Sequence, residues 1–157
     1  MLKQIIFWFF YTIAAVWAQY FLPAMDFFAP GLVIMLQTGK LHSAIWAGGC
    51  WMLIQEGTSS LVFGSIILFY AGLVLFFYVG GRFFEVTNFF FTMFLFACLS
   101  FYKSGVIMIM SSLQELEVVL PFSLRQILLQ AAVYLLAWSI TFIFFKKLFI
   151  HEPVQRK

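Results

Sequence analysis

Polar side chains inside long apolar segments are the residues of this chain best placed to carry out chemistry. The polar residues that interrupt such segments are Gln19, Gln37, Asn88, Lys103, Gln126 and Gln130. In lipid, a lysine at mid-span costs roughly 2.5–3.5 kcal/mol, so an ionisable residue there indicates a binding site or an ion path. Lys103 is the ionisable member of the set. It could pair with Glu56, Glu115 or Glu117, or it could anchor its helix at the membrane surface through its long stem.

Residue combinations that perform catalysis are missing from the sequence. His42 and His151 each stand without a second metal ligand at a suitable spacing, and the HExxH and GxSxG motifs are absent. Asp26 is the only aspartate, so a pair of aspartates cannot serve an intramembrane protease. We therefore predict a protein that is not an enzyme and that binds no metal and no cofactor.

Apolar segments make up most of the chain, so they must position the polar residues. Hydrophobic residues account for 64% of the 157 residues and charged residues for 10%, whereas soluble domains average roughly 45–50% and about 25%. We predict an all-α integral membrane protein, a compact bundle of six (alternatively five) transmembrane helices, one of them short or re-entrant. The predicted segments are 4–22, 28–38, 41–56, 61–80, 87–110 and 123–145. Residues 1–150 form a single transmembrane domain, and residues 151–157 form a short cytoplasmic tail.

The second and third segments are each too short to cross a bilayer, which requires about 20 helical residues. Gly39 and Lys40 separate them. Two arrangements are open: one long helix from Phe28 to Glu56 that is interrupted at Gly39, or a hairpin whose shorter arm is shielded by protein.

The distribution of charge predicts the orientation. With six crossings and a cytoplasmic amino terminus, seven of the nine basic residues fall on the cytoplasmic side, in agreement with the positive-inside rule. They are Lys3, Lys40, Arg82, Lys146, Lys147, Arg156 and Lys157. The opposite side collects Asp26, Glu56, Glu115 and Glu117. We therefore expect both termini in the cytoplasm, with five crossings as the alternative.

Small residues in the third segment predict close helix packing. Ala44 and Gly48 are four residues apart and so share one helix face, which continues towards Glu56. Small residues at this spacing allow two backbones to approach closely in lipid. The sequence leaves open whether the neighbouring helix belongs to this chain or to another protein.

A succession of short motifs follows the first span. Gln19-Tyr-Phe-Leu-Pro23 is followed by Pro30-Gly-Leu-Val, the glycine-rich run 44–49, Gln55-Glu56-Gly57 and Gly64. In this succession, over about residues 15–80, the chain resembles the bacterial rod shape-determining protein D (MreD) family. It departs from the family pattern at Glu56, where the family usually has aspartate, and at Gly31, where aspartate is expected after the proline.

This resemblance implies a non-enzymatic, multi-pass subunit of the bacterial inner membrane that belongs to the cell-elongation (rod) machinery. Such a subunit docks partner membrane proteins and so helps to control cell shape and side-wall peptidoglycan synthesis. The implied partners are a membrane-anchored shape protein of the MreC type and other elongation proteins, within the lipid bilayer and without nucleic acid. The candidate docking residues are Gln19, Pro23, Pro30, Ala44, Gly48, Glu56 and Gly64.

Two other functions remain open from the sequence. The size and the predicted topology also suit the substrate-binding membrane subunit of an energy-coupling-factor vitamin transporter. Its pocket would use residues near Glu56, Lys103, Glu115, Glu117 and Arg125. An accessory subunit of a larger membrane complex, with no ligand of its own, is the third possibility.

Overall fold

The regular structure of the protein is helical throughout the part that the computed structural model describes, which is residues 2–22, 25–58, 64–113 and 123–149. The helices are α1 (Leu2–Phe21), α2 (Ala29–Gln37), α3 (Leu41–Thr58), α4 (Ser65–Gly80), α5 (Phe89–Leu113) and α6 (Leu124–Phe149). They follow the six predicted segments closely. The largest difference among the described residues is at the end of α6, which extends four residues beyond the predicted segment; residues 61–63 of the predicted fourth segment lie outside the described residues.

Three helices, α1, α5 and α6, are long and apolar enough to cross a membrane. This agrees with the predicted membrane protein at the level of composition and length. The apolar helix α4 is shorter, with 16 residues. With only nine residues, α2 is about 14 Å long at 1.5 Å per residue, so it cannot cross a bilayer alone.

The second and third helices form a hairpin, which decides between the two arrangements that the sequence left open. Gly39 ends α2 in the left-handed region, with φ +70°, a conformation that glycine adopts without the steric cost of a Cβ. The amide N–H of Lys40 then donates to the carbonyl oxygen of Met35 at 3.2 Å, as in a Schellman cap. Beyond the turn the two helices run antiparallel, and the ring of Phe28 stacks on Trp51 with centroids 5.3 Å apart.

The short helix α2 lies at the centre of the bundle. Its residues from Ala29 to Leu36 are all buried, and it packs against α3, α4 and α6. Its sequence is apolar on every side, as expected for a helix with no face towards a polar solvent. Because neighbouring helices cover α2, its two ends can lie at membrane depth without exposing backbone groups to lipid.

The other five helices surround α2. Neighbours along the chain pack together from α3 to α6. Helix α1 lies between α3 and α6, where Trp8 contacts Trp51 and Phe145 at ring distances of 6.0 and 5.8 Å. Near the start of α1, Phe7 contacts Phe149, so the two ends of the described chain lie at the same end of the bundle.

Glycines on α4 receive aromatic rings from α5. A Cβ at Gly72 would collide with the ring of Tyr102, and a Cβ at Gly80 would lie 2.7 Å from Cε2 of Phe91. The hydroxyl of Tyr102 donates to the carbonyl oxygen of Leu68 at 3.0 Å. The α4–α5 contact therefore depends on rings that lie directly against backbone, which the sequence did not reveal.

Candidate functional site

Two groups of buried polar side chains hold the central helix, one at each end. The Asp26 cluster consists of Asp26, Gln55 and Tyr70, and it lies at the amino-terminal end of α2. The Gln37 cluster consists of Gln37, Thr92 and Trp138, and it lies at the carboxyl-terminal end.

Asp26 acts as an acceptor for several donors at once. Its side chain is only 4% exposed, and Oδ1 accepts the backbone N–H groups of Phe28 at 2.8 Å and Ala29 at 3.4 Å. The same oxygen accepts Nε2 of Gln55 at 2.8 Å, and Oε1 of Gln55 accepts the hydroxyl of Tyr70, also at 2.8 Å. The first N–H groups of a helix lack partners within the helix and favour negative charge, so this carboxylate stabilises the start of α2. The cluster links the segment before α2 to α3 and α4.

Aromatic residues tie α1 to the same end of α2. The hydroxyl of Tyr11 donates to the carbonyl oxygen of Phe27 at 2.6 Å, and Nε1 of Trp51 donates to the hydroxyl of Thr12 at 2.8 Å. Both rings lie against Gly31, where an added Cβ would be 2.5 Å from Cε1 of Tyr11 and 3.0 Å from Cη2 of Trp51. Glycine at position 31 therefore permits α1 and α3 to close over the start of α2.

The Gln37 cluster joins α2 to the second half of the chain. The amide Nε2 of Gln37 donates to the carbonyl oxygen of Val86 at 2.8 Å and to the hydroxyl of Thr92 at 3.1 Å. The side-chain oxygen of Gln37 accepts Nε1 of Trp138 at 2.9 Å. One amide thus connects α2 with the α4–α5 turn, α5 and α6.

The chemistry of these two clusters is hydrogen bonding between helices. Each of the donors and acceptors named above faces another group of the same chain. Among the described residues, no three His, Cys, Asp or Glu side chains lie close enough together to hold a metal ion. The clusters position α2 rather than present a reactive group at a cleft.

Two of the predicted docking residues are covered by α2. Ala44 is 3% exposed, and a Cβ at Gly48 would lie 3.3 Å from Cδ1 of Leu32. Pro30 is buried in the first turn of α2, where a proline costs no helix hydrogen bond. Ala44 and Gly48 therefore pack within the chain, which is one of the two interpretations that the sequence left open. A partner could reach Gly48 only by displacing Leu32 of α2.

Two other predicted residues, Glu56 of α3 and Gly64 just before α4, are joined by a hydrogen bond. The backbone N–H of Gly64 donates to Oε1 of Glu56 at 3.1 Å. Gly64 has φ +88° and precedes the first turn of α4. Glu56 therefore holds the entry to α4.

The remaining predicted site residues are dispersed. Gln19 is half-buried on α1, and Pro23, Glu115 and Glu117 lie outside the described residues. Lys103 is half-buried on α5, with Nζ 6.0 Å from the centre of the Phe69 ring, a cation–π contact.

Sequence reasoning missed Asp26 as a site residue. A local signal was available, because Asp26 precedes an apolar run with Pro30 in its first turn, a pattern typical of a helix start. The partnership with Gln55 and Tyr70 had no such signal, since it depends on the hairpin between α2 and α3.

Comparison of the chain with known protein families, with curated proteins and with solved structures found no match. Function must therefore be inferred from the residues of the chain itself.

Proposed function

We propose that this protein is a non-enzymatic subunit of the bacterial inner membrane, of the MreD type, that docks partner membrane proteins of the cell-elongation machinery. One observation carries the proposal: the motifs behind the resemblance meet in one packed unit. Pro30 lies in the first turn of α2, Gly48 lies against Leu32 of α2, and Gln55 binds Asp26. Residues from separate motifs thus contribute to the α2–α3 hairpin and its supports.

The filled interior favours docking over the binding of a small solute. The side chains of α2 from Ala29 to Leu36 occupy the centre of the bundle. A vitamin-binding subunit would use Glu56 to bind its ligand, whereas one oxygen of Glu56 already accepts the N–H of Gly64. The outer faces of the helices are the surfaces on which this chain can work.

We further propose that all six helices contribute to the membrane domain and that α2 reaches only part of the way across. Lys40 lies over the ring of Phe145, and Phe7 contacts Phe149, so lysines near both chain ends and after α2 share one end of the bundle. This supports an even number of passes with that end in the cytoplasm, because positive charge favours the cytoplasmic side.

The outer face of α3 is the docking surface that we propose, in place of the covered face with Ala44 and Gly48. Ile45 and Leu53 are 63% and 74% exposed, and they flank Gly49, where an added Cβ would meet no atom within 4 Å. A small residue between two large apolar ones lets a partner's transmembrane helix approach the backbone closely. We assign the partner as a membrane-anchored shape protein of the MreC type.

The test is purification of the tagged protein in mild detergent, followed by mass spectrometry of what accompanies it. We expect elongation proteins in stoichiometric amounts. A stoichiometric complex with a transporter ATPase, or one without any elongation protein, would contradict the proposed function.

A matched pair of variants then tests the surface separately. Gly49→Leu fills the proposed contact on α3. Gly105→Leu adds the same side chain on α5, where a Cβ also meets no atom within 4 Å. We expect the first variant to lose the partner and the second to retain it. Full recovery with both would leave the function standing and rule out this face of α3.

A further inference from the structure

Lysines from three separate elements belong to one end of the bundle, where Phe7 of α1 packs against Phe145 and Phe149 of α6 along a seam between the two helices. They are Lys3 in the first turn of α1, Lys40 between α2 and α3, and Lys146 and Lys147 in the last turn of α6. The Nζ atom of Lys40 lies 5.5 Å from the centre of the Phe145 ring. Phe145 directly precedes Lys146, and it contacts Phe7, one turn after Lys3, at a ring distance of 5.7 Å.

The seam next to these lysines is lined by aromatic rings. Phe7 contacts Phe149 at 5.8 Å, and Phe145 contacts Phe149 at 4.9 Å, so three rings from two helices form one cluster. Helix α1 packs mainly through such large side chains rather than through close approach of its backbone to another helix. The contact between α1 and α6 therefore consists of side chains rather than of closely packed backbones. Phe149, at the end of this contact, is only half-buried.

We propose that this seam binds an anionic phospholipid, with the phosphate beside Lys40 and Lys146 and the acyl chains against the rings of Phe7 and Phe149. Basic residues at the ends of transmembrane helices attract anionic lipid headgroups. The contact with the Phe145 ring orients the ammonium of Lys40, so part of the ordering cost is already met before the lipid arrives.

The apolar surroundings identify the ligand as a lipid rather than a soluble phosphate. The ammonium of Lys40 stands over the ring of Phe145, beside the seam between α1 and α6, two of the helices long enough to cross a membrane. A ligand that uses both features must carry an anionic group on a hydrocarbon tail, as an anionic phospholipid does. The proposal requires neither the elongation partner nor a particular orientation in the membrane.

Native mass spectrometry of the full-length protein, titrated in detergent with phosphatidylglycerol, tests the site. Each basic residue near a membrane surface contributes about a fivefold gain in the binding of an anionic lipid. We therefore expect Lys40→Gln and Lys146→Gln each to weaken phosphatidylglycerol binding about fivefold. Arg82→Gln is the matched control, because Arg82 is exposed on the α4–α5 turn, which contacts Gln37 at the same end of the bundle and belongs to neither α1 nor α6. The affinity of the Arg82→Gln variant for phosphatidylglycerol should stay within about twofold of that of the unchanged protein.

Several results would overturn the proposal. Equal losses for Lys40→Gln and Arg82→Gln would indicate attraction to net charge without a site. Equal binding of phosphatidylcholine would remove the role of the anionic headgroup, and displacement of the lipid by equimolar inorganic phosphate would assign the site to a soluble anion. Lys146→Gln changes an exposed side chain and so decides the matter even where Lys40→Gln lowers the yield of folded protein. Recovery of binding with Lys40→Arg would confirm that the positive charge matters.

Discussion

Trp138 donates its indole N–H to the side-chain oxygen of Gln37 across 2.9 Å, a contact between residues 101 positions apart in the chain. The same amide of Gln37 donates to Val86 and Thr92 through its nitrogen. One side chain therefore links the carboxyl-terminal end of a nine-residue helix to the α4–α5 turn, α5 and α6.

Removal of this amide should loosen the bundle. Gln37→Leu keeps the approximate volume but leaves the indole N–H of Trp138 and the hydroxyl of Thr92 without this partner. We expect the free energy of unfolding to fall by about 1–2 kcal/mol. Titration with a denaturing detergent, followed by circular dichroism, measures the change. Gln126→Leu, at an exposed position of α6, is the control and should leave stability nearly unchanged.

The loss of stability on replacing Asp26 should depend on whether the new side chain still offers an acceptor oxygen. Asp26→Leu strips the backbone N–H groups of Phe28 and Ala29 and the amide of Gln55 of their common acceptor, so we expect a loss of about 2–3 kcal/mol. Asp26→Asn retains an oxygen at that place and should cost less. The same unfolding titration ranks the two variants. Equal stability of Asp26→Leu and the unchanged protein would contradict the role assigned to this carboxylate.

Replacing glycine by alanine should change the stability of the protein very differently at positions 31 and 49. Gly31→Ala pushes a Cβ into the rings of Tyr11 and Trp51, and we expect it to destabilise the protein by about 1–3 kcal/mol. Gly49→Ala meets open space in the middle of α3, so we expect stability to stay the same or to rise slightly, because alanine favours the helix. Thermal midpoints of the two variants in one detergent provide the comparison. A lower midpoint for Gly49→Ala than for Gly31→Ala would contradict this packing.

The proposed orientation predicts a labelling pattern. In a background with Cys50→Ala and Cys98→Ala, Lys3→Cys and Lys147→Cys should react with a membrane-impermeant maleimide only from the cytoplasmic side. Arg125→Cys, at the opposite end of α6, should react only from the outside. Intact spheroplasts and inside-out vesicles separate the two sides. Reaction of Lys3→Cys and Lys147→Cys from opposite sides would establish an odd number of crossings instead.

The sequence predicted the helices well because apolar runs bounded by polar residues have the length and composition of membrane helices. It did not decide between a hairpin and one long helix at Gly39, since a glycine is compatible with either. The decision depends on the left-handed backbone of Gly39 and on distant contacts such as that of Phe28 with Trp51.

The candidate site was predicted only in part. As with the hairpin, the missing information lies in contacts between residues that are distant in the sequence. The spacing of Ala44 and Gly48 correctly indicated a close approach of helices, but small residues do not specify which helix approaches. In this chain it is α2, through Leu32. Asp26 lies before α2, and its side-chain partner Gln55 lies on α3, 29 residues away, so the sequence does not indicate this pairing.

The enclosure of α2 has a consequence for biogenesis. The ribosome makes α6 after the other described helices, yet α6 packs against α2 and supplies Trp138 to the amide of Gln37. In the proposed membrane arrangement, the polar groups of the hairpin lack this cover until α6 inserts. An incomplete chain is therefore chemically distinct from a complete one, and membrane quality control can recognise it by exposed hydrogen-bonding groups before any partner is met.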